Sequence, residues 1–226
     1  MADLFNTLFP HVASKLDELW ISTLQTLYMM FVSGGIAFLL GIILGVTLIV
    51  TKQGGILENK SVFGILDRLI NVFRSIPFVI LLAALIPFSR FIVGTAIGTT
   101  GAIVPLVVGT VPFFSRQVES ALSNVDNGLV EAAMSMGSSP LGIIFRVYLK
   151  ESIPSLVRVS QITAISLIGL TAMAGAIGGG GLGDFAIRYG HQRGQTDVTY
   201  ITIVVILLMV SVIQKGGNYI IRKTTH

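Results

Sequence analysis

Residues 20–51 read WISTLQTLYMMFVSGGIAFLLGIILGVTLIVT, a run that contains no charged residue. About 20 apolar residues in a helix cross a hydrocarbon core of about 30 Å, so this run is long enough to span a bilayer and to tilt or protrude. The whole chain is similarly apolar: 53% of its residues are hydrophobic, 12% are charged and the mean hydropathy is +0.85. Soluble domains carry about 25% charged residues. The sequence therefore predicts an integral membrane protein.

Further apolar segments predict spans at 91–115, 155–179 and 198–219. The last has a charge-free window near the lower length limit, with Tyr200 and Tyr219 as interfacial anchors. These segments and 20–51 give four spans.

A fifth predicted span, 69–89, is the shortest. It is free of charge only from Ser75 to Ser89, so it crosses the bilayer only if Arg74 snorkels toward the headgroups as an interfacial anchor. A re-entrant segment is the alternative, and it would change the topology. We predict an all-α integral membrane protein with five transmembrane helices. The transmembrane domain covers 20–221, between an extracellular tail (1–19) and a cytoplasmic tail (222–226).

Lysine and arginine are distributed unevenly between the predicted connections. If the connection 116–154 is cytoplasmic, most of the 15 basic residues are cytoplasmic: Lys52, Lys60, Arg68, Arg74, Arg116, Arg146, Lys150, Arg158, Lys215, Arg222 and Lys223. Because basic connections tend to stay in the cytoplasm, this predicts an external N-terminus and a cytoplasmic C-terminus in the plasma or inner membrane. The same bias accounts for the net charge of +4, so nucleic-acid binding gains no support from it.

The connection between the third and fourth spans carries three spaced signals, Glu131-Ala132-Ala133, Gly137 and Ile153-Pro154. The two alanines leave a narrow helix face that another protein can approach. Glycine tolerates the left-handed conformation that closes many helices, and Ser138-Ser139-Pro140 is typical of the cap and first turn of a new helix. The spacing predicts a helix, a stop and a second helix. An ordinary helical hairpin on the surface is the alternative.

The second of these helices is predicted to be amphipathic. Its apolar residues fall on one face at helical spacing, and they are Leu141, Ile144, Phe145 and Tyr148. Such a helix suits the membrane surface and is compatible with a docking role.

In this membrane context, the Glu131 signals resemble the EAA loop in permease subunits of type I ATP-binding cassette importers. The final pair is Ile-Pro here, where Leu-Pro is commoner in the family. The run Ala174–Gly190 resembles methionine-importer permeases in particular, and Asp184–Gly190 is the part that narrows the choice. Arg74–Phe78, which opens the second span, supports the overall resemblance. The glycine-rich run Gly178–Gly183 also resembles osmoprotectant permeases. The resemblance covers nearly the whole chain.

The resemblance implies that the loop forms a coupling helix seated in a groove of a separate ATPase. The residues assigned to ATPase coupling are Glu131, Ala132, Ala133, Met134, Gly137 and Ser138. Those assigned to contact with an external binding protein are Gly180, Gly181, Asp184, Arg188 and Tyr189. The implied partners are a second copy of the chain, two cytoplasmic ATPase subunits, an extracellular or periplasmic methionine-binding lipoprotein and the lipid bilayer. No cofactor is expected on this chain, since ATP and Mg belong to the ATPase.

The fourth predicted span offers a candidate pathway surface. The residues that follow one of its faces are Thr163, Ser166, Leu170, Met173 and Ile177. Beyond basic residues near their ends, the spans lack ionisable residues, which fits a net-neutral zwitterion such as methionine, and many other neutral solutes too. The alternative is that Thr163 and Ser166 only mediate helix packing. Gly41 and Gly45 form G-x-x-x-G, which predicts close packing of the first span.

Other functional classes lack their signatures. The chain has no nucleotide-binding G-x-x-x-x-G-K-[ST] loop, no H-E-x-x-H motif and no cysteine, and its three histidines are scattered. Gly178, Gly180 and Gly183 formally match G-x-G-x-x-G. The match follows a predicted membrane span, whereas a dinucleotide site needs a preceding strand, so no such site is predicted. Acidic residues before the first span argue against a cleavable signal. No metal site, and no enzymatic activity of the chain itself, is expected.

The sequence therefore predicts a permease subunit that forms the translocation pathway for methionine in an ATP-driven importer. An ATP-binding cassette permease for another amino acid or an osmoprotectant is the first alternative. A self-contained secondary transporter is the second, and it would show inverted repeats and ionisable residues near the midplane. Neither feature is apparent in the sequence.

Overall fold

The structure, a computed structural model, describes residues 9–224. Every regular element in that range is helical, so the predicted all-α class is confirmed. The helices are α1 (Pro10–Ala13), α2 (Leu16–Thr51), α3 (Lys60–Ser75), α4 (Phe78–Ala84), α5 (Ile86–Val93), α6 (Gly98–Leu122), α7 (Asn127–Ser135), α8 (Pro140–Ile143), α9 (Leu149–Glu151), α10 (Ile153–Ala174), α11 (Gly181–Phe185) and α12 (Thr196–Thr224). Segments of π-helix within the described range cover Ile144–Tyr148 and Ala186–His191. Between α10 and α11 the chain kinks at Ile177 and Gly178, whose φ values are −117° and 96°.

Within residues 9–224, four helices are long and apolar enough to cross a membrane. They are Leu16–Thr51, Gly98–Leu122, Ile153–Gly179 and Thr196–Thr224. They correspond to the predicted spans 20–51, 91–115, 155–179 and 198–219. The second of them begins later than predicted, because Gly94 adopts a positive φ of 78° and ends α5.

The segment predicted as the span 69–89 is not one continuous helix. It comprises the end of α3, all of α4 and the start of α5. The break comes at Ile76, which is extended (φ −84°, ψ 122°) because the α conformation is disfavoured before Pro77. Moreover, α3 begins well before residue 69, where the side chain of Asn59 accepts hydrogen bonds from the backbone N–H groups of Ser61 and Val62.

The chain divides into two compact units. The first takes in the described residues up to Gly35, together with Pro77–Val107 and Ala164–Ile213. One of its apolar clusters is built on the buried residues Met29, Met30, Ala102, Leu106, Leu167, Ile168 and Ala174. A second cluster is built on Val12, Phe185, Tyr189 and Val198. These clusters hold α1 and the glycine-rich segment against the helices that the unit contains.

The second unit comprises Ile36–Ile76, Val108–Thr163 and the described residues from Gln214 onward. Its core contains the buried residues Ile49, Val50, Phe114, Val118, Leu122, Val130, Ala133, Ile143, Ile144 and Tyr148. The predicted close packing at Gly41 and Gly45 is confirmed, because a β-carbon added at either position would lie 2.6 Å from a side chain of α6. The helix of the Glu131 motif therefore belongs to the same core as the ends of α2 and α6.

Candidate functional site: the coupling loop and its surroundings

The structure has the predicted helix, stop and helix around Glu131. The side chain of Asp126 caps α7 by accepting a hydrogen bond from the Gly128 N–H at 2.8 Å. Gly137 follows α7 with a φ of 76°, in the left-handed region. Ser139 then caps α8 by accepting a hydrogen bond from the Gly142 N–H at 3.2 Å, with Pro140 in the first turn. The sequence pattern alone was sufficient to predict this arrangement.

Helix α7 has one face inside the second unit and one face outside it. Val130 and Ala133 are buried in the core with Val118 and Leu122 of α6. Glu131, Ala132, Met134, Gly137 and Ser138 are all exposed. Of the six predicted coupling residues, therefore, Ala133 packs α7 against its own unit, and the other five are accessible to a partner.

The predicted amphipathic face of the second helix is wrong in one respect. Ile144 and Tyr148 are buried, whereas Leu141 and Phe145 are 66% and 65% exposed. The π-helical segment Ile144–Tyr148 closes its hydrogen bonds over a longer interval than an α-helix, so side-chain directions depart from the α-helical spacing. Burial also raises the pKa of the Tyr148 phenol, because the phenolate would lose hydration.

Between Asn127 and Tyr148, five large apolar side chains are exposed: Leu129, Met134, Met136, Leu141 and Phe145. We call these residues the coupling patch. Met136, next to the closing Gly137, is 79% exposed. Several large apolar side chains exposed within one short loop favour an interaction site, since leaving them in water is unfavourable. The patch is the part of the loop best suited to a protein partner.

An ion-pair cluster beside this loop could not be recognised from the sequence. In the second unit, Arg116 of α6 donates to Asp67 of α3 and to Glu119 of α6, each at 2.6 Å. It also donates to the Asn71 side chain at 3.2 Å. Asp67 and Asn71 are four residues apart on α3 and therefore lie on one face. That spacing alone does not indicate the partner on α6, because Arg116 is 49 residues from Asp67 in sequence.

The candidate pathway face of α10 is only partly accessible. Thr163 is fully buried, and its hydroxyl donates to the Val159 carbonyl at 2.8 Å. Leu170 is partly buried against the core of the first unit. Ser166 is exposed, and Met173 and Ile177 are 42% and 52% exposed. Ser166, Met173 and Ile177 are thus the accessible members of the predicted set.

The glycine-rich segment is fastened to α2 within the first unit. The Gly181 N–H donates to Gln25 Oε1 at 2.8 Å, and the Leu182 N–H donates to Thr26 Oγ1 at 2.9 Å. Gly180 and Gly181 have φ values of 74° and 77°, which favour glycine. The sequence did not indicate a role for Gln25 and Thr26, because these polar residues lie within the charge-free run 20–51.

The residues predicted to contact a binding protein differ in accessibility. Asp184 and Arg188 form a partly exposed ion pair at 3.0 Å. Gly181 is buried and Gly180 is partly buried. Tyr189 is only 7% exposed, within the second apolar cluster of the first unit. Asp184 and Arg188 therefore offer the accessible charged groups of this set.

Tyr189 is surrounded by charged groups. The guanidinium groups of Arg188 and Arg193 lie 4.8 and 4.7 Å from its ring centroid, and the Lys15 ammonium lies 5.4 Å away. A hydrogen bond to Glu18, together with burial, raises the pKa of Tyr189 against the opposing charges of Arg188 and Arg193. Tyr189 thereby orders several cations around one buried ring. Among residues 9–224, no group of His, Cys, Asp or Glu is placed to hold a metal ion.

Residues 37–220 match the family described as the inner membrane component of binding-protein-dependent transport systems. The chain belongs to this family. The resemblance drawn from the Glu131 loop is thereby confirmed, and the permease is a multi-pass protein of the inner membrane.

Two relatives extend the likeness over nearly the whole permease. A probable D-methionine transport system permease protein MetI from Vibrio cholerae is 47% identical, with 98% of this chain and 99% of the relative covered. The methionine import system permease protein MetP of Bacillus subtilis is 46% identical, with 96% and 97% covered.

The permease also resembles a solved structure. A chain from the inward-facing conformations of the MetNI methionine ABC transporter matches with a TM-score of 0.88 and 43% identity. The match covers 93% of the permease and 96% of that chain. The helical arrangement described above is therefore also that of a known transporter chain.

Proposed function

We propose that this chain is the permease subunit of an ATP-binding cassette importer and forms the translocation pathway for methionine. The observation that carries the proposal is the near full-length identity of 47% and 46% to two proteins named for methionine transport. The match to a methionine transporter chain at 43% identity supports the same cargo. The loop geometry supports the coupling part, since five of its six assigned residues are accessible.

The working assembly contains two copies of the permease, two cytoplasmic ATPase subunits and an external methionine-binding lipoprotein. ATP and Mg bind the ATPase, and its motion displaces the coupling helix of the permease. The coupling patch seats α7 and α8 in a groove of the ATPase. Because Val130 and Ala133 are packed with Val118 and Leu122, a displacement of α7 is passed to α6. The helices of the bilayer then open the pathway to one side or the other.

The proposed orientation puts the N-terminus outside and the C-terminus in the cytoplasm. The bias of basic residues supports it, and it places the coupling patch on the side where ATP is available. The opposite side then carries Asp184 and Arg188 as the charged contact with the binding protein. Ser166 and Met173 supply a hydroxyl and a thioether surface along the pathway, which suit a zwitterion with an apolar side chain.

Co-assembly of the permease with its ATPase tests the proposal. The complex should purify as two permeases with two ATPases, and the methionine-loaded binding protein should stimulate ATP hydrolysis. Glu131→Ala should reduce that stimulation while the membrane domain stays folded. Normal assembly and normal stimulation in the Glu131→Ala variant would count against the coupling assignment of this loop.

A further inference from the structure

One ion pair connects α3 to α6 in the second unit. The guanidinium of Arg116 uses one terminal nitrogen for Asp67 and Asn71 on α3, and the other for Glu119 on its own helix. Asn71 in turn donates to the second oxygen of Asp67 at 3.2 Å. The three charged side chains are between 14% and 32% exposed, so solvent screens them only in part. Because the planar guanidinium donates in fixed directions, these bonds constrain both the distance and the relative orientation of α3 and α6.

Helix α3 presents an apolar surface away from this contact. Its exposed apolar side chains are Val62, Ile65, Leu69, Val72 and Phe73, each between 37% and 61% exposed. By helical geometry they lie opposite Asp67 and Asn71. On the other side of α3, Ile70 is only 4% exposed and Asp67 is partly buried, so the helix packs on its unit through both apolar and charged side chains. The ion pair with Arg116 is the charged part of that packing.

Arg116 also lies close to the coupling loop along α6. Val118, two residues further on, is fully buried and packs in the same cluster as Val130 and Ala133 of α7. Leu122, at the end of α6, belongs to that cluster as well. A continuous set of contacts therefore runs from α7 through α6 to Arg116 and then to Asp67.

We propose that Arg116 is a positioning residue that transmits displacement of the coupling helix to α3 through Asp67. This inference rests on the proposed function, because it needs α7 to be driven by an ATPase. Apolar packing passes the displacement from α7 to α6, and the ion pair between Arg116 and Asp67 passes it from α6 to α3. Glu119 holds the guanidinium from the same helix, so its ion pair with Arg116 does not join α6 to α3. The two carboxylates beside Arg116 therefore have separable roles.

The test compares Asp67→Asn with the matched control Glu119→Gln in the full transporter, reconstituted with its ATPase and binding protein. The measured quantity is labelled methionine taken up per ATP hydrolysed. Residues on coupling networks change coupling by about 2-fold to 30-fold. We expect Asp67→Asn to lower this ratio within that range, and Glu119→Gln to leave it within about 2-fold. The exchange Arg116→Asp with Asp67→Arg, made together with Glu119→Gln so that no carboxylate of α6 repels the new one, should recover most of the loss.

A distance measurement keeps the inference testable apart from transport. The chain has no cysteine, so spin labels on cysteines placed at exposed Leu69 of α3 and Ser135 of α7 are specific. The distance between the labels should stay narrow and constant with and without nucleotide in the wild type, and should broaden in Asp67→Asn. An unchanged distance distribution together with an unchanged uptake ratio in Asp67→Asn would overturn the inference. Equal losses in Asp67→Asn and Glu119→Gln would overturn it too.

Failure of the proposed function would look different. In that case the wild-type complex would show no uptake of methionine that depends on ATP, whatever residue stands at position 67. A coupled wild type with a fully coupled Asp67→Asn variant would instead leave the proposed function intact and reject Arg116 as the transmitting residue.

Discussion

Gly45 of α2 and Val118 of α6 approach so closely that a β-carbon at position 45 would lie 2.6 Å from the Cβ of Val118. The same β-carbon would lie 2.8 Å from the backbone oxygen of Ser115. Helices in a bilayer gain little from hydrophobic association with one another, so close contact at small residues is a main source of their affinity. This contact joins the first span to the helix that carries Arg116 and leads to the coupling loop.

Gly45→Ala should therefore destabilise the permease by about 1–3 kcal/mol, the usual cost of overpacking a tight site. Thermal unfolding of the detergent-solubilised protein measures it. Gly35→Ala is the matched control on the same helix, because an added β-carbon there would meet no atom within 4 Å. The control should be neutral, or stabilising by up to about 1 kcal/mol through helix propensity. Equal stability of the two variants would contradict the packing account.

Met136→Asp should weaken binding of the ATPase without unfolding the permease. Met136 is 79% exposed in the coupling patch, so a carboxylate there is harmless to the free chain but must be desolvated at an interface. A loss of about 2 kcal/mol is typical of a central interface residue, or about 30-fold in affinity. Co-purification with the ATPase and thermal unfolding are measured together. Ala133→Asp, at a site only 6% exposed, should reduce both quantities.

Gly181→Ala should be more damaging than Gly178→Ala. Both glycines have positive φ, at 77° and 96°, so each alanine costs about 1–2 kcal/mol in backbone strain. A β-carbon at position 181 would also lie 2.7 Å from Thr26 Oγ1, whereas one at position 178 would meet nothing within 4 Å. The difference between the two variants in thermal unfolding measures the clash with Thr26, because the backbone strain is common to both. Indistinguishable variants would mean that the contact with α2 does not constrain this segment.

Single cysteines on α10 should report which side chains face the pathway. We expect Ser166→Cys and Met173→Cys to react with a small soluble thiol reagent, with rates that change when nucleotide binds the complex. Thr163→Cys should stay unreactive, because Thr163 has no exposed surface in its own unit. The absence of native cysteine leaves no background. Labelling that is the same in every state would reject the pathway assignment of Ser166 and Met173.

Much of the fold could be predicted because it depends on local signals. Charge-free runs identified four long helices, and Gly137 with Ser139-Pro140 identified the stop and restart of the coupling loop. The break at Ile76 has a local signal as well, in Pro77, yet the length of the apolar run suggested one continuous span. The π-helical segment Ile144–Tyr148 has no clear sequence signature, and Leu141 and Phe145, which were predicted on the same face as the buried Ile144 and Tyr148, are exposed.

The contacts that fix the candidate site are mostly long-range, and single-sequence patterns do not encode them. Gly181 and Gln25 are 156 residues apart in sequence, and Arg116 and Asp67 are 49 apart. Within its own segment, none of these residues carries a sequence signal that points to its partner. Thr163 illustrates the same limit, because helical spacing placed it with Ser166 but burial separates the two. Spacing identifies which residues share a face, and only packing decides which part of that face is accessible.

Uptake of labelled methionine into sealed liposomes is the most direct test of an ATP-driven permease. Liposomes containing the permease with its ATPase, supplied with ATP and the loaded binding protein, should accumulate methionine above the external concentration. Liposomes containing the permease alone should not accumulate it. Accumulation by the permease alone, or none by the complete complex, would contradict the account.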